Sequence, residues 1–169
     1  MRWVALLGVV VVARTAMAAA NLGSGGSYFL PDPGILPDHP LYWLKVVRDR
    51  VGLWLTTEPV ARAERLLVYA DRRMSEALSL SESGQGELAV VTAQRAEEYL
   101  ARAVRQAEEV AQQGRKVEDI VGSLVGASLK HQEVLETIRG MVPAFAVRIE
   151  GISEVYSREY RRIVERWGN

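Results

Sequence analysis

Between Thr57 and Gln113 the chain carries two long apolar series separated by one break, Gly84-Gln85-Gly86. The first series steps through Val60, Ala63, Leu67, Ala70, Met74 and Ala77; the second through Ala89, Ala93, Ala96, Leu100, Ala103, Ala107 and Val110. Steps alternating between three and four place each series on one narrow stripe of an α-helix, the seam of a coiled-coil-like pair. Neither stretch has glycine or proline in its interior, and so short a connection makes the two helices antiparallel neighbours. Thr57 is the expected N-cap, with Glu58 and Pro59 in the first turn. That helix is expected to reach Ser83, and its partner to run from Glu87 to Gln113. Alanines at five of the seven seam positions of the second helix predict close backbone approach. The fold expected is all-α: an antiparallel helical bundle built on this long hairpin, with a short N-terminal helix and two C-terminal helices.

The 169 residues suffice for one domain with a sizeable core. Lys plus Arg and Asp plus Glu balance at 21 each, which gives nucleic acid no clustered basic excess to bind. The absence of cysteine excludes disulfides, thiolate metal sites and a cysteine nucleophile. Stability must come from helix packing.

Met1-Arg2 followed by an apolar run from Trp3 to Ala13, then Ala16-Met17-Ala18 and Ala18-Ala19-Ala20, fits a cleaved secretory signal over residues 1–20. The run is shorter than the roughly 20 residues that span a bilayer. Extracytoplasmic placement follows, secreted or within the cell envelope. The alternative is a retained N-terminus that keeps the protein on the membrane. Residues 21–37 read as a linker, Gly/Ser-rich and then Pro-rich, leading to a single helical domain over 38–169.

Asp38 is the expected cap of a first helix with Pro40 in its early turn. Leu41, Leu44, Val47, Val51 and Trp54 make one apolar face, opposed by Lys45, Arg48, Asp49 and Arg50. Such a face either closes the bundle core as a lid or lies on a membrane surface. The stretch Leu36-Pro37-Asp38-His39-Pro40-Leu41-Tyr42-Trp43-Leu44-Lys45 resembles the opening motif Leu-Pro-Asp-x-Pro-Leu-Tyr-x-Leu-Lys of a bacterial extracytoplasmic family called domain of unknown function 5667. The likeness continues through Leu55-Thr56-Thr57-Glu58-Pro59-Val60-Ala61-Arg62-Ala63-Glu64 and Ala70-Asp71-Arg72-Arg73-Met74-Ser75-Glu76-Ala77, mainly over residues 36–80. What the resemblance implies is an exported helical domain, with no activity attached.

After Gly114-Arg115-Lys116 a third pattern runs through Val117, Val121, Leu124, Ser128, His131, Leu135, Ile138 and Val142. Gly122 and Gly126 leave a small-surfaced stretch suited to a tight helix crossing. His131 sits on the seam, and neither Val134 nor Leu135, the residues a turn away, is a metal ligand; a polar core or boundary histidine is expected. Gly140 and Pro143 end the pattern. A last amphipathic helix has Phe145, Ile149, Ile152, Tyr156, Tyr160, Ile163 and Trp167 on one face.

The charges of the hairpin, Asp71, Glu76 and the pair Glu97-Glu98 among them, read as a solvated surface. Adjacent helix positions diverge by about 100°, so Glu97 and Glu98 do not share a cleft. No catalytic, cofactor or metal residue is assigned. The candidate interaction surface is Tyr42, Trp43, Trp54, Tyr156, Tyr160 and Trp167. The expected role is non-enzymatic contact with an envelope protein or with a second copy, with no nucleic acid; membrane contact, or a ligand- or metal-binding module without a motif, are the alternatives.

Overall fold

The structure of the chain, a computed structural model, describes residues 28–167; the expected signal over residues 1–20 and the Gly/Ser stretch lie outside them. Five α-helices follow one another: α1 Tyr42–Leu55, α2 Pro59–Glu82, α3 Gly86–Gln112, α4 Glu118–Met141 and α5 Ala146–Trp167. A single 3₁₀ turn, Pro143–Phe145, joins the last two. No strand occurs among the described residues.

The long hairpin is present as expected. Every seam residue from Ala63 to Ala77 and from Ala89 to Val110 is buried. The α2–α3 turn is closed by Gly84 at φ +77, with Gln85 N–H donating to Leu80 O (2.9 Å) and Gly84 N–H to Ser81 O (3.1 Å). These two bonds satisfy the last carbonyls of α2, and the left-handed residue between them favours glycine. Gly114 ends α3 in the same way, at φ +74, with Arg115 bonded to Val110 and Gly114 to Ala111.

Two expected caps differ. Glu58, not Thr57, caps α2, its carboxylate accepting from Ala61 N–H at 2.5 Å while Pro59 opens the helix. A carboxylate one residue nearer the exposed N–H groups satisfies them directly and suits the helix dipole. α1 starts at Tyr42 without a capping side chain on its N-cap Leu41. Asp38 instead accepts from Gln85 of the α2–α3 turn (2.9 Å), and His39 Nδ1 accepts from Leu41 N–H (3.1 Å).

α4 and α5 close the bundle. α2 and α3 pack on each other along their length, α4 packs on both, and α5 packs on α3 and α4. The core has two apolar clusters. One gathers Leu66, Leu67, Leu100, Val104, Ile120 and Leu124, the other Met74, Val90, Val134, Leu135, Ile138 and Ile149. Where they meet, α2, α3 and α4 each supply a polar residue: Asp71 between Ala70 and Met74, Glu97 between Ala96 and Leu100, His131 between Ala127 and Val134.

Residues 28–37, which composition marks as linker, lie against the bundle. Tyr28 packs on the first cluster and Leu30 on the second, and the carbonyls of Pro33 and Ile35 accept from Lys45 Nζ at 2.7 and 3.2 Å. Gly126 accommodates the Tyr28 ring rather than a helix crossing: a Cβ there would stand 2.8 Å from Tyr28 Cδ2.

Candidate functional site

α1 is mounted the opposite way round from a lid. Its neighbour among the helices is α2, and the side it turns inward holds Tyr42, Lys45, Asp49 and Leu53. Lys45 Nζ donates to Glu76 Oε1 at 2.5 Å. Arg73 forms two bonds to Glu76, 2.7 and 3.0 Å long, and stands 3.6 Å from Asp49 Oδ2. Tyr42 donates its hydroxyl to Glu76 Oε2 (2.9 Å), receives a bond from Arg73, and lies with its ring under that guanidinium at 4.9 Å. At the other end Arg65 donates to Gly52 O (2.6 Å) and Arg62 to Leu53 O (3.3 Å), so α2 supplies cations to the terminal carbonyls of α1. Burial opposes the charge on Arg73, but Glu76, the Tyr42 hydroxyl and Asp49 hold its pKa above the ordinary value. Tyr42 is raised well above the usual tyrosine range, first by burial and then by Glu76.

Because ion pairs occupy the inner face, the apolar residues point to solvent. Trp43 is 60 % exposed and Trp54 79 %, and Leu44, Val47, Val51 and Leu55 are exposed with them. The lid expectation for this helix is therefore overturned. Two oppositely charged pairs, Lys45 and Asp49 one turn apart on α1 against Glu76 and Arg73 one turn apart on α2, hold the rotation of α1 against the pull of its apolar face.

A second buried network runs through the bundle centre. Tyr28 donates its hydroxyl to Asp71 Oδ2 (2.6 Å); Asp71 Oδ1 faces His131 Nε2 (3.1 Å); His131 Nδ1 faces Glu97 Oε1 (3.0 Å); Tyr160 donates to Glu97 Oε2 (2.5 Å). Both imidazole nitrogens thus face carboxylate oxygens, which only accept, so both carry protons and the ring is a cation. Burial opposes that charge, but the bonds to Asp71 and Glu97 outweigh it and push the His131 pKa up to about 9. Tyr28 is raised far above its usual range by burial and by Asp71. Asp71, Glu76 and Glu97 are accordingly interior groups, which corrects the reading of these three as solvated surface.

The six aromatic candidates separate. Trp43 and Trp54 stand together on the outer face of α1, and Tyr42 is on the inner face of the same helix. Tyr160 is buried at 2 % exposure on Glu97. Tyr156 stacks on it, with centroids 6.5 Å apart, and Trp167 packs on the first apolar cluster. Two surface depressions, of 330 Å³ beside Val90, Arg148 and Tyr156 and 230 Å³ between α4 and α5, include none of Asp71, Glu97 and His131. Among the described residues no group of three or more His, Asp or Glu is placed to hold a metal ion, and no helix is long and apolar enough to cross a membrane.

Sequence reasoning placed His131 at the core or its boundary but missed what it bonds. A signal was present: Asp71 stands 13 residues before Gly84 and Glu97 13 after it, so an antiparallel hairpin brings them level. Tyr28 had no such signal, lying in a stretch of linker composition.

No curated protein and no solved structure matches the chain. The family model described as "Domain of unknown function (DUF5667)" matches residues 34–144, from the segment before α1 into the turn after α4. The chain belongs to that family.

Proposed function

We propose that the protein is a non-enzymatic, exported helical domain of the cell envelope that works by contact, with the outer face of α1 as its contact surface. The observation that carries this is the inverted mounting of α1, which leaves two tryptophans and four aliphatic side chains on one solvent-facing stripe. A contiguous exposed apolar patch on a folded domain marks an interaction site. The titratable residues support a non-catalytic reading. Lys45 and Arg73 both bond to Glu76, and His131 is enclosed with both nitrogens engaged. Catalytic acids and bases need access to a reacting atom in a cleft. The signal-like residues 1–20 support export.

The test is in-cell crosslinking from positions on α1, compared between the native protein and Trp43→Ser/Trp54→Ser. The reading expects crosslinks from α1 to one class of envelope component, lost in the double variant while the fold persists. Crosslinks that are the same in both proteins would refute it.

A further inference from the structure

We infer that the outer face of α1 is an in-plane membrane anchor that seats in the headgroup region of an anionic bilayer leaflet; this rests on the contact reading above. Three observations favour lipid as the occupant. The stripe is one convex helix standing on α2, and among the described residues no second helix lies beside it to form a groove. A flat, deformable surface covers such a ridge along its whole length.

The positions of the tryptophans come next. Trp43 and Trp54 are 11 residues apart, about three turns, and so fall within about 20° of the same direction at a separation of about 16 Å. Both indoles therefore run along one edge of the stripe, where an amphipathic ring with a polar N–H suits the boundary between headgroup and acyl chain.

Charge is the third. Of the four charged residues of α1, Lys45 and Asp49 are consumed by the inner face, and the two that remain exposed are Arg48 and Arg50. On the helix, Arg50 falls beside the tryptophan edge and Arg48 on the opposite edge beside Leu55, bracketing the apolar residues. Arg48 donates to Asp49 Oδ1 from Nε and Nη2 (3.1 and 2.8 Å) and keeps a side chain 64 % exposed. An apolar stripe flanked on both edges by guanidinium groups and carrying no exposed carboxylate matches an anionic interface, the arrangement of helices that lie in the membrane plane.

The experiment uses the protein as isolated from its cells, with its N-terminus read by mass spectrometry. It is mixed with phosphatidylcholine vesicles with or without about 30 mol % phosphatidylglycerol, a fraction high enough for surface charge to act within a Debye length. The expected result is sedimentation with the anionic vesicles, several-fold weaker on pure phosphatidylcholine. A blue shift of tryptophan emission should be lost in Trp43→Phe/Trp54→Phe. Trp43→Ser/Trp54→Ser should weaken binding about tenfold or more, and Arg50→Glu should weaken it on anionic vesicles alone. Equal binding to both vesicle types, or binding unchanged in the serine variant, overturns the proposal; the latter assigns adhesion to another segment. Two further outcomes overturn it while leaving the contact reading intact: a native mass twice that of the serine variant in the absence of lipid, which makes a second copy the occupant, or a stoichiometric protein crosslink to α1 in cells.

Discussion

The His131 network predicts how stability depends on pH. In the unfolded chain the imidazole titrates near 6.5; in the folded protein its pKa is pushed up to about 9. A group whose pKa is raised by folding stabilises the native state fully below its unfolded value, and that contribution is lost as pH rises toward the folded value. At about 1.4 kcal/mol per pKa unit, the interval is worth about 3 kcal/mol. For a protein of this size that corresponds to a decline of about 6–12 °C in Tm between pH 6.5 and 9. The assay is calorimetry across that range, with the imidazole followed by NMR; the chain has two histidines, so His131 is readily distinguished from exposed His39. Glu97→Gln removes one of the two carboxylates that face the ring and should move the decline to lower pH. His131→Gln leaves two buried carboxylates without a cation between them, should cost about 3–5 kcal/mol near neutral pH, and should abolish the slope. A native Tm that stays level from pH 6.5 to 9, or a His131 resonance that titrates near 6.5, would refute the assignment of a buried imidazolium.

Three other outcomes follow from the packing. Lys45→Met removes the cation shared by Glu76 and the carbonyls of Pro33 and Ile35; it should cost about 3 kcal/mol and let amide exchange in α1 outrun that in α2 and α3, checked by hydrogen-exchange mass spectrometry. Gly126→Ala puts a Cβ 2.8 Å from the Tyr28 ring, so the ring must shift away from Asp71, at about 1–2 kcal/mol; the same alanine combined with Tyr28→Ala should cost no more than Tyr28→Ala alone, which a double-mutant cycle measures. Ala93→Leu inserts three carbons into a fully buried seam position and should lose about 1–3 kcal/mol or more in denaturant unfolding, whereas Gln94→Leu, one exposed position along, should stay within about 0.5 kcal/mol.

The hairpin was legible because each part of it has a local cause: period, breaker and length agree from Ala63 through Val110. The stripe of α4, which carries His131, was legible too, because it is continuous. Pattern reading failed at polar residues whose partners are distant in sequence. Asp71 and Glu97 lie one position beside seam alanines, where a two-helix view puts solvent; in the bundle α4 covers that flank of both helices and brings His131 between them. The same limit reversed α1. An apolar stripe on a short helix ordinarily faces the core, and what turns it outward is a pair of ionic contacts to Glu76 and Arg73, more than 20 residues away. The aromatic candidates illustrate both cases: Trp43 and Trp54 are on the surface, while Tyr160, at the same helical spacing as its neighbours, ends on a buried carboxylate.

The relay from Tyr28 to Tyr160 also sets an order of events during folding. Its members come from the segment before α1 and from α2, α3, α4 and α5, and its terminal hydroxyls belong to residues near opposite ends of the described chain. The hairpin can form from local contacts as soon as Gln113 is available, but Asp71 and Glu97 then face each other without the imidazolium that separates them. Closure of the centre waits for α4 to bring His131 and α5 to bring Tyr160. In a chain that emerges N-terminus first the two carboxylates thus stay in water until α4 and α5 arrive, and the bonds that bury them join residues 34 to 63 positions apart.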